Sequence, residues 1–151
     1  MSQQAVVSSR FIDTERIPWV PLSPGLSFKP LRFLRNELGR IQLLRLEPGT
    51  IIPRHRHTGE VHGFNLVGQR KLLDTGELVG PGGYVYEPAG NVDSWMAVGT
   101  EPVIVHVTAY GAVEYLDERG DVVKRATCLS QFEAYRSWCQ KNGIPMLDLQ
   151  E

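Results

Sequence analysis

The stretch Gly49-Thr50-Ile51-Ile52-Pro53-Arg54-His55-Arg56-His57-Thr58-Gly59-Glu60-Val61-His62 carries three of the four histidines of the chain. His55 and His57 stand two residues apart, so on a β-strand both project to the same face. A neutral imidazole offers a lone pair near pH 7. Two of them on one face of one strand are a ready chelating pair, and the run therefore reads as part of a metal site built on a strand.

The surrounding sequence supports a β context. From about residue 40 to 116, short β-branched runs (Ile41–Leu46, Ile51–Pro53, Phe64–Val67, Lys71–Leu73, Tyr84–Glu87, Val103–Thr108) alternate with turns. The turns are Glu47-Pro48-Gly49, Gly80-Pro81-Gly82-Gly83 and Pro88-Ala89-Gly90-Asn91. Many short strands with regular turn signals predict an all-β sandwich or barrel. Glu118-Arg119-Gly120-Asp121 reads as a hairpin turn between Val113–Leu116 and Val122–Lys124. Upstream, Pro18, Pro21, Pro24 and Pro30 impose an extended, non-helical segment. Residues 1–15 are polar and are expected to form a flexible arm or to lie on a neighbouring subunit. One helix is expected at the C-terminus, over 131–142. Ser130 and Glu133 have the spacing of a capping box. Phe132, Tyr135, Trp138 and Cys139 form an apolar stripe, and Gly143 and Pro145 end the helix. The stripe is expected to pack on the outside of the barrel.

Composition bounds the rest. A chain of 151 residues with 42% hydrophobic and 22% charged residues suits one globular domain. A net charge of -1 gives no reason to expect nucleic acid or an anionic membrane as partner. No apolar run approaches the ~20 residues of a membrane span. Met1-Ser2-Gln3-Gln4 does not open an export signal, so a cytoplasmic location is expected. Cys128 and Cys139 would be separated by ~16 Å of helix, too far for a disulfide, and a reducing compartment fits two free thiols.

Gly49, then His55 and His57, resembles the first motif of the cupin superfamily. Gly82, Pro88 and Gly90 resemble the second, with Asp93 where that motif carries a histidine. Within the superfamily, Pro18-Trp19-Val20-Pro21, Phe28-Lys29-Pro30-Leu31, the histidine run through Gly63, Gly82 to Gly90, and Gly111 to Asp117 resemble the acetylacetone-cleaving and 2,4′-dihydroxyacetophenone dioxygenase group. The likeness covers roughly residues 16 to 145. It implies a single cupin domain, a jelly-roll β-barrel or sandwich with one C-terminal helix, and a homodimer or homotetramer. It also implies a non-haem Fe(II) site, with Zn, Mn or Ni as other ions that such donors accept. The function implied is dioxygenase cleavage of a C–C bond beside a carbonyl, on a small β-diketone or hydroxyketone with O₂. A similar cupin occurs in zinc-binding anti-sigma regulators, so a non-catalytic regulatory or sensory cupin is the alternative. A relative that has lost its metal is a third reading, supported by Asp93 alone.

The metal ligands expected from this resemblance are His55, His57, His62 and Asp93. His62 lies where the general motif has a carboxylate, and a bulge around Thr58-Gly59 would turn it inward. His62 is then a ligand or an acid/base. Glu87, on the face shared with Val85, is expected close to the metal, orienting a ligand or a water. His106 is read either as facing the cavity or as exposed. Arg70 reads as an exposed strand-end residue, although it could approach an anionic oxygen. Phe64, Tyr84, Tyr86, Trp95 and Met96 are candidates to line an aromatic-accepting pocket or to fill the core.

Overall fold

The computed structural model describes residues 8–150. In chain order the strands are β1 (Val20–Ser23), β2 (Leu26–Phe33), β3 (Gly39–Leu46), β4 (Ile51–His57), β5 (Val61–Val67), β6 (Gln69–Leu72), β7 (Leu78–Val79), β8 (Tyr84–Glu87), β9 (Val92–Val98), β10 (Val103–Tyr110), β11 (Val113–Leu116) and β12 (Val122–Ala126), followed by α1 (Cys128–Asn142). They form two six-stranded antiparallel sheets, β1-β2-β3-β10-β5-β8 and β12-β11-β4-β9-β6-β7. This is the expected all-β architecture with one C-terminal helix. Among the described residues, no helix is long and apolar enough to cross a membrane.

Period-two alternation makes the sandwich. In β10, Val103, Val105, Val107 and Ala109 are buried while the residues between them are not. In β9, Asp93, Trp95 and Ala97 are the buried set. These inward residues meet Leu46, Ile52 and Val61 in one core between the sheets. The proline-punctuated segment becomes β1 and β2. Pro30 is tolerated because it lies past the stretch of β2 that β1 covers, beside a bulge against β3, where its missing N–H breaks no ladder bond to β1.

Residues 1–7 of the expected arm lie outside the described residues. From Arg10 onward the chain is tied down. Arg10 meets Asp148 at 3.5 Å, and the Asp13 side chain caps the 3-10 turn Thr14–Arg16. Lys29 Nζ donates to Thr14 O at 2.9 Å.

The helix begins three residues before the expected 131, and its capping box is Thr127 with Ser130, in place of Ser130 with Glu133. The Ser130 N–H donates to Thr127 Oγ1 at 3.0 Å and the Thr127 N–H donates to Ser130 Oγ at 2.8 Å. Serine at N3 serves here as well as the glutamate of the usual pattern. The stripe packs as expected, with Tyr135 and Cys139 buried on Val20, Phe28, Phe33 and Leu149. Its place differs from expectation. Val20, Phe28, Leu44 and Val105 are cross-strand partners and so share one sheet face, and Leu44 and Val105 line the interior cavity. The helix therefore plugs the β1–β2 end of the sandwich, where the inner face extends beyond the opposing sheet.

Candidate metal centre

A bulge in β4 decides which way the histidines point. Ile52 pairs with Trp95 and His55 with Asp93, so three residue steps on β4 match two on β9. The extra residue falls at Pro53-Arg54, where a proline without an N–H costs least. Without it, Ile52 and His55 would face opposite sides. With it, Ile52, His55 and His57 are all buried inward. His55 Nδ1 donates to Pro53 O at 2.8 Å, which fixes the tautomer and leaves the Nε2 lone pair aimed inward. His55 Nε2 and His57 Nε2 lie 3.1 Å apart.

The third donor comes from the other sheet. Glu87 ends β8, alternating with Tyr84 and Tyr86, which face out. Its Oε2 is 3.5 Å from His57 Nε2, and its Oε1 accepts from Asn91 Nδ2 at 2.9 Å. The turn Pro88-Ala89-Gly90 brings Asn91 back to Glu87. Gly90 there has φ +87°, and its N–H donates to His57 O at 2.7 Å. One ligand atom from each of His55, His57 and Glu87 lies within 4.8 Å of the others. Ligands held at ~2.1 Å from one ion with angles of about 90–110° stand about 3.0–3.4 Å apart. The observed 3.1 and 3.5 Å fit that closely. Burial keeps both imidazoles unprotonated and lowers both pKa values. For His57 the charges of His55 and Arg40 add to the effect and take it to about 3. His55, His57 and Glu87 could thus hold a divalent metal ion.

Asp93 is inward and buried beside this group, opposite His55, but it is outside the converging set. Its Oδ1 accepts the Ser94 N–H at 2.8 Å. Its carboxyl hydrogen-bonds Glu87, and burial followed by the Glu87 charge raises its pKa to about 6. The third place in the converging group, expected for Asp93, is taken by Glu87, whose longer side chain bridges the gap between the sheets.

His62 is not brought to the cluster. The β5–β8 pairing is regular through His62↔Tyr86, so His62 stays on the outer face. There Nδ1 meets Tyr84 Oη at 2.6 Å, and Nε2 lies 3.5 Å from Glu60. No bulge forms at Thr58-Gly59. That pair carries the chain from one sheet to the other against Tyr110 and Ala112. His106 also faces outward, paired with Leu43 and Phe64. Phe64, Tyr84 and Tyr86 are exposed, so they line no internal pocket, while Trp95 is core. Met96 alternates with inward Trp95 and Ala97 and faces out. Arg70 is buried, contrary to its expected exposure. Its Nε donates to Asn65 Oδ1 at 2.9 Å, and its guanidinium lies 4.6 Å from the Trp95 ring centre.

The histidines and Glu87 line an interior cavity of ≈ 70 Å³. Arg40, Gln42, Tyr115 and Gln131 also line it. The sequence reading missed these four. Period-two phase with Leu44 and Leu46 places Arg40 and Gln42 inward, and that phase was the available signal.

The comparisons with known proteins can be set beside this geometry. No curated protein matches the chain by sequence. An RmlC-like cupin protein from Ralstonia eutropha JMP134 superposes with TM-score 0.89 at 23% identity, covering 96% of each chain. An acetylacetone dioxygenase from Acinetobacter johnsonii gives 0.74 at 14% identity, over 91% of this chain and 96% of that one. The Rhodobacter sphaeroides complex of SigE with the anti-sigma ChrR gives 0.56 at 18% identity, over 64% of this chain and 51% of that one. At such identities these likenesses establish the fold alone. The model of the ChrR cupin-like domain matches residues 7–114. That match spans more than half of the chain and includes both histidines and Glu87, and by it the chain belongs to the ChrR cupin-like family of the cupin superfamily.

Proposed function

We propose that the protein is a metal-dependent dioxygenase that cleaves a C–C bond beside a carbonyl in a small β-diketone or hydroxyketone. The observation that carries this reading is the buried His55, His57 and Glu87 set opening onto the cavity between the sheets. Two imidazoles and one carboxylate are the donor composition of oxygen-activating Fe(II) sites. Fe(II) is the ion proposed, with Zn, Mn or Ni as alternatives. Bound there, it would supply a Lewis acid for the carbonyl and enolate oxygens and a centre able to react with O₂.

The residues of the chain do the rest. The Pro53 carbonyl and the Asn91 amide hold His55 and Glu87 in their working orientations. Asp93 does not line the cavity. It hydrogen-bonds Glu87 and so positions that carboxylate. Val61, Val107, Ala109 and Val113 exclude bulk water. We also propose that the chain forms a homodimer or homotetramer, which would cover the exposed Phe64, Tyr84 and Tyr86; sedimentation equilibrium tests this against the 16.9 kDa monomer.

The test of activity is O₂ uptake by iron-loaded protein with a panel of β-diketones and hydroxyacetophenones. Uptake at one equivalent of O₂ per substrate supports the reading. Bound iron with no uptake across the panel would leave the second reading, a non-catalytic metal-binding regulatory cupin. The family match and the likeness to the anti-sigma ChrR fold favour that alternative.

A further inference from the structure

The end of the cavity beneath α1 is polar, and the metal centre does not account for it. Arg40, Gln42 and Gln131 all line the cavity and are 2%, 3% and 5% exposed. Arg40 pairs with Ala109, which pairs with Val61, which pairs with Glu87. Arg40 and Glu87 thus stand in one row on one sheet face, three strands apart. At ~4.8 Å per strand their backbones are ~14 Å apart. His57, from the opposing sheet, lies 3.5 Å from Glu87 and lines the same cavity as Arg40.

This polar end is unsatisfied. Arg40 Nη1 donates to Gly111 O at 3.2 Å, but Arg40 Nε is buried without a partner, and so is Gln131 Oε1. The Gln42 side chain takes part in no hydrogen bond among the described residues. Arg40 is in no ion pair with a carboxylate among the described residues. Among the described residues Glu87 is the one carboxylate lining the cavity, and it faces the histidines at the far end. A buried guanidinium remains charged and costs stability unless a counter-charge meets it. The other buried cations, Lys29 and Arg70, differ: Lys29 donates to Thr14 O and lies over the Trp19 ring. Arg70 is held otherwise. It is braced by Asn65 and Trp95, and the fields of Glu87 and Asp93 offset its charge.

We infer that Arg40, with Gln42 and Gln131, forms a carboxylate subsite, so that the ligand of this cavity is a small keto acid reaching from the His55, His57 and Glu87 cluster to Arg40. The planar guanidinium suits a carboxylate, whose oxygens would take the free N–H of Arg40 and the amide N–H of Gln42, while the orphaned Gln131 Oε1 would accept from a hydroxyl such as the enol O–H of the same ligand. An approach route exists. Leu22, Leu26, Tyr115, Ala126 and Gln131 line both the inner cavity and an outer groove that opens between β1 and β12. Lys124 sits on the rim of that groove.

This inference deepens the proposed function and takes from it the diketone end of the ligand. Its test separates the two. Zinc-loaded protein, which binds without oxygen chemistry, is titrated calorimetrically with 2,4-dioxopentanoate and with the methyl ester of that acid. The acid is expected to bind at least ~tenfold more tightly than the ester. Arg40→Gln is expected to erase that preference in protein of equal metal content, and Arg40→Lys to retain part of it. Equal binding of acid and ester by the wild type overturns the subsite, and that comparison needs no variant to fold. If the acid is preferred, Arg40→Gln erases that preference, and the iron-loaded protein consumes no O₂ with either compound, the subsite stands and the dioxygenase reading falls; an acid preference that survives Arg40→Gln overturns the subsite. If neutral diketones are cleaved and the ester matches the acid, the reverse holds.

Discussion

His57 and Asp93 are neighbours of one cluster, and burial drives their protonation in ways that oppose each other with pH. Asp93 rises from 3.8 to about 6. A raised carboxyl pKa leaves stability intact below 3.8 and erodes it as pH climbs through about 6. His57 falls from 6.5 to about 3. That costs nothing above 6.5 and erodes stability as pH drops toward 3. In metal-free protein, Asp93→Asn should therefore stabilise increasingly between pH 4 and 7. The gain should level off on the order of 1–2 kcal/mol once solvent screening is allowed for. Urea titrations at pH 4, 5.5 and 7 measure it, and a gain independent of pH would contradict the environment described for Asp93. The donor set gives a second expectation. His57→Ala and Glu87→Ala should purify without metal, Asn91→Ala should weaken metal affinity by roughly 10–100-fold, and His62→Ala should match wild type. Elemental analysis of the four proteins decides, and metal lost on His62→Ala would contradict the outward placement of that ring.

Elements hold the site through a few positions where the backbone has little choice. Gly59 carries the chain between sheets so close to β10 that an added Cβ would lie 2.5 Å from Tyr110 O. Gly59→Ala must move backbone and should cost on the order of 1–3 kcal/mol. Thr127→Ala removes one half of the helix cap and should cost about 1 kcal/mol. Chemical denaturation measures both. The two should differ in a second readout: the Gly59 change acts beside the histidine strand and should lower metal affinity, while the cap change should not. The β4 bulge belongs to this scale too. Pro53 is visible in the sequence, but whether it adds a residue to one side of a ladder depends on pairing with β9, which is distant in the chain.

For the whole molecule, the candidate metal cluster would act as a clip between two sheets. His55 and His57 belong to one and Glu87 to the other, so an ion bound by all three opposes their separation. Free metal at a hundredfold above its Kd should raise unfolding free energy by about 2.7 kcal/mol. Thermal melts with and without chelator test this, and Glu87→Ala should abolish the difference.

The sequence by itself determined the all-β class, most of the strands, the terminal helix and the shared face of His55 and His57. These rest on local periodicity, turn chemistry and motif spacing, which act over a few residues. It also placed Glu87 on the face of Val85 and, through the family resemblance, close to the candidate metal site. Only the tertiary structure decided which carboxylate completes the set, because Glu87 reaches the histidines across the gap between two sheets while Asp93 shares their own. Only the structure turned His62 outward and Arg40 and Arg70 inward, because a strand reads the same in either phase until its partners and bulges fix the register.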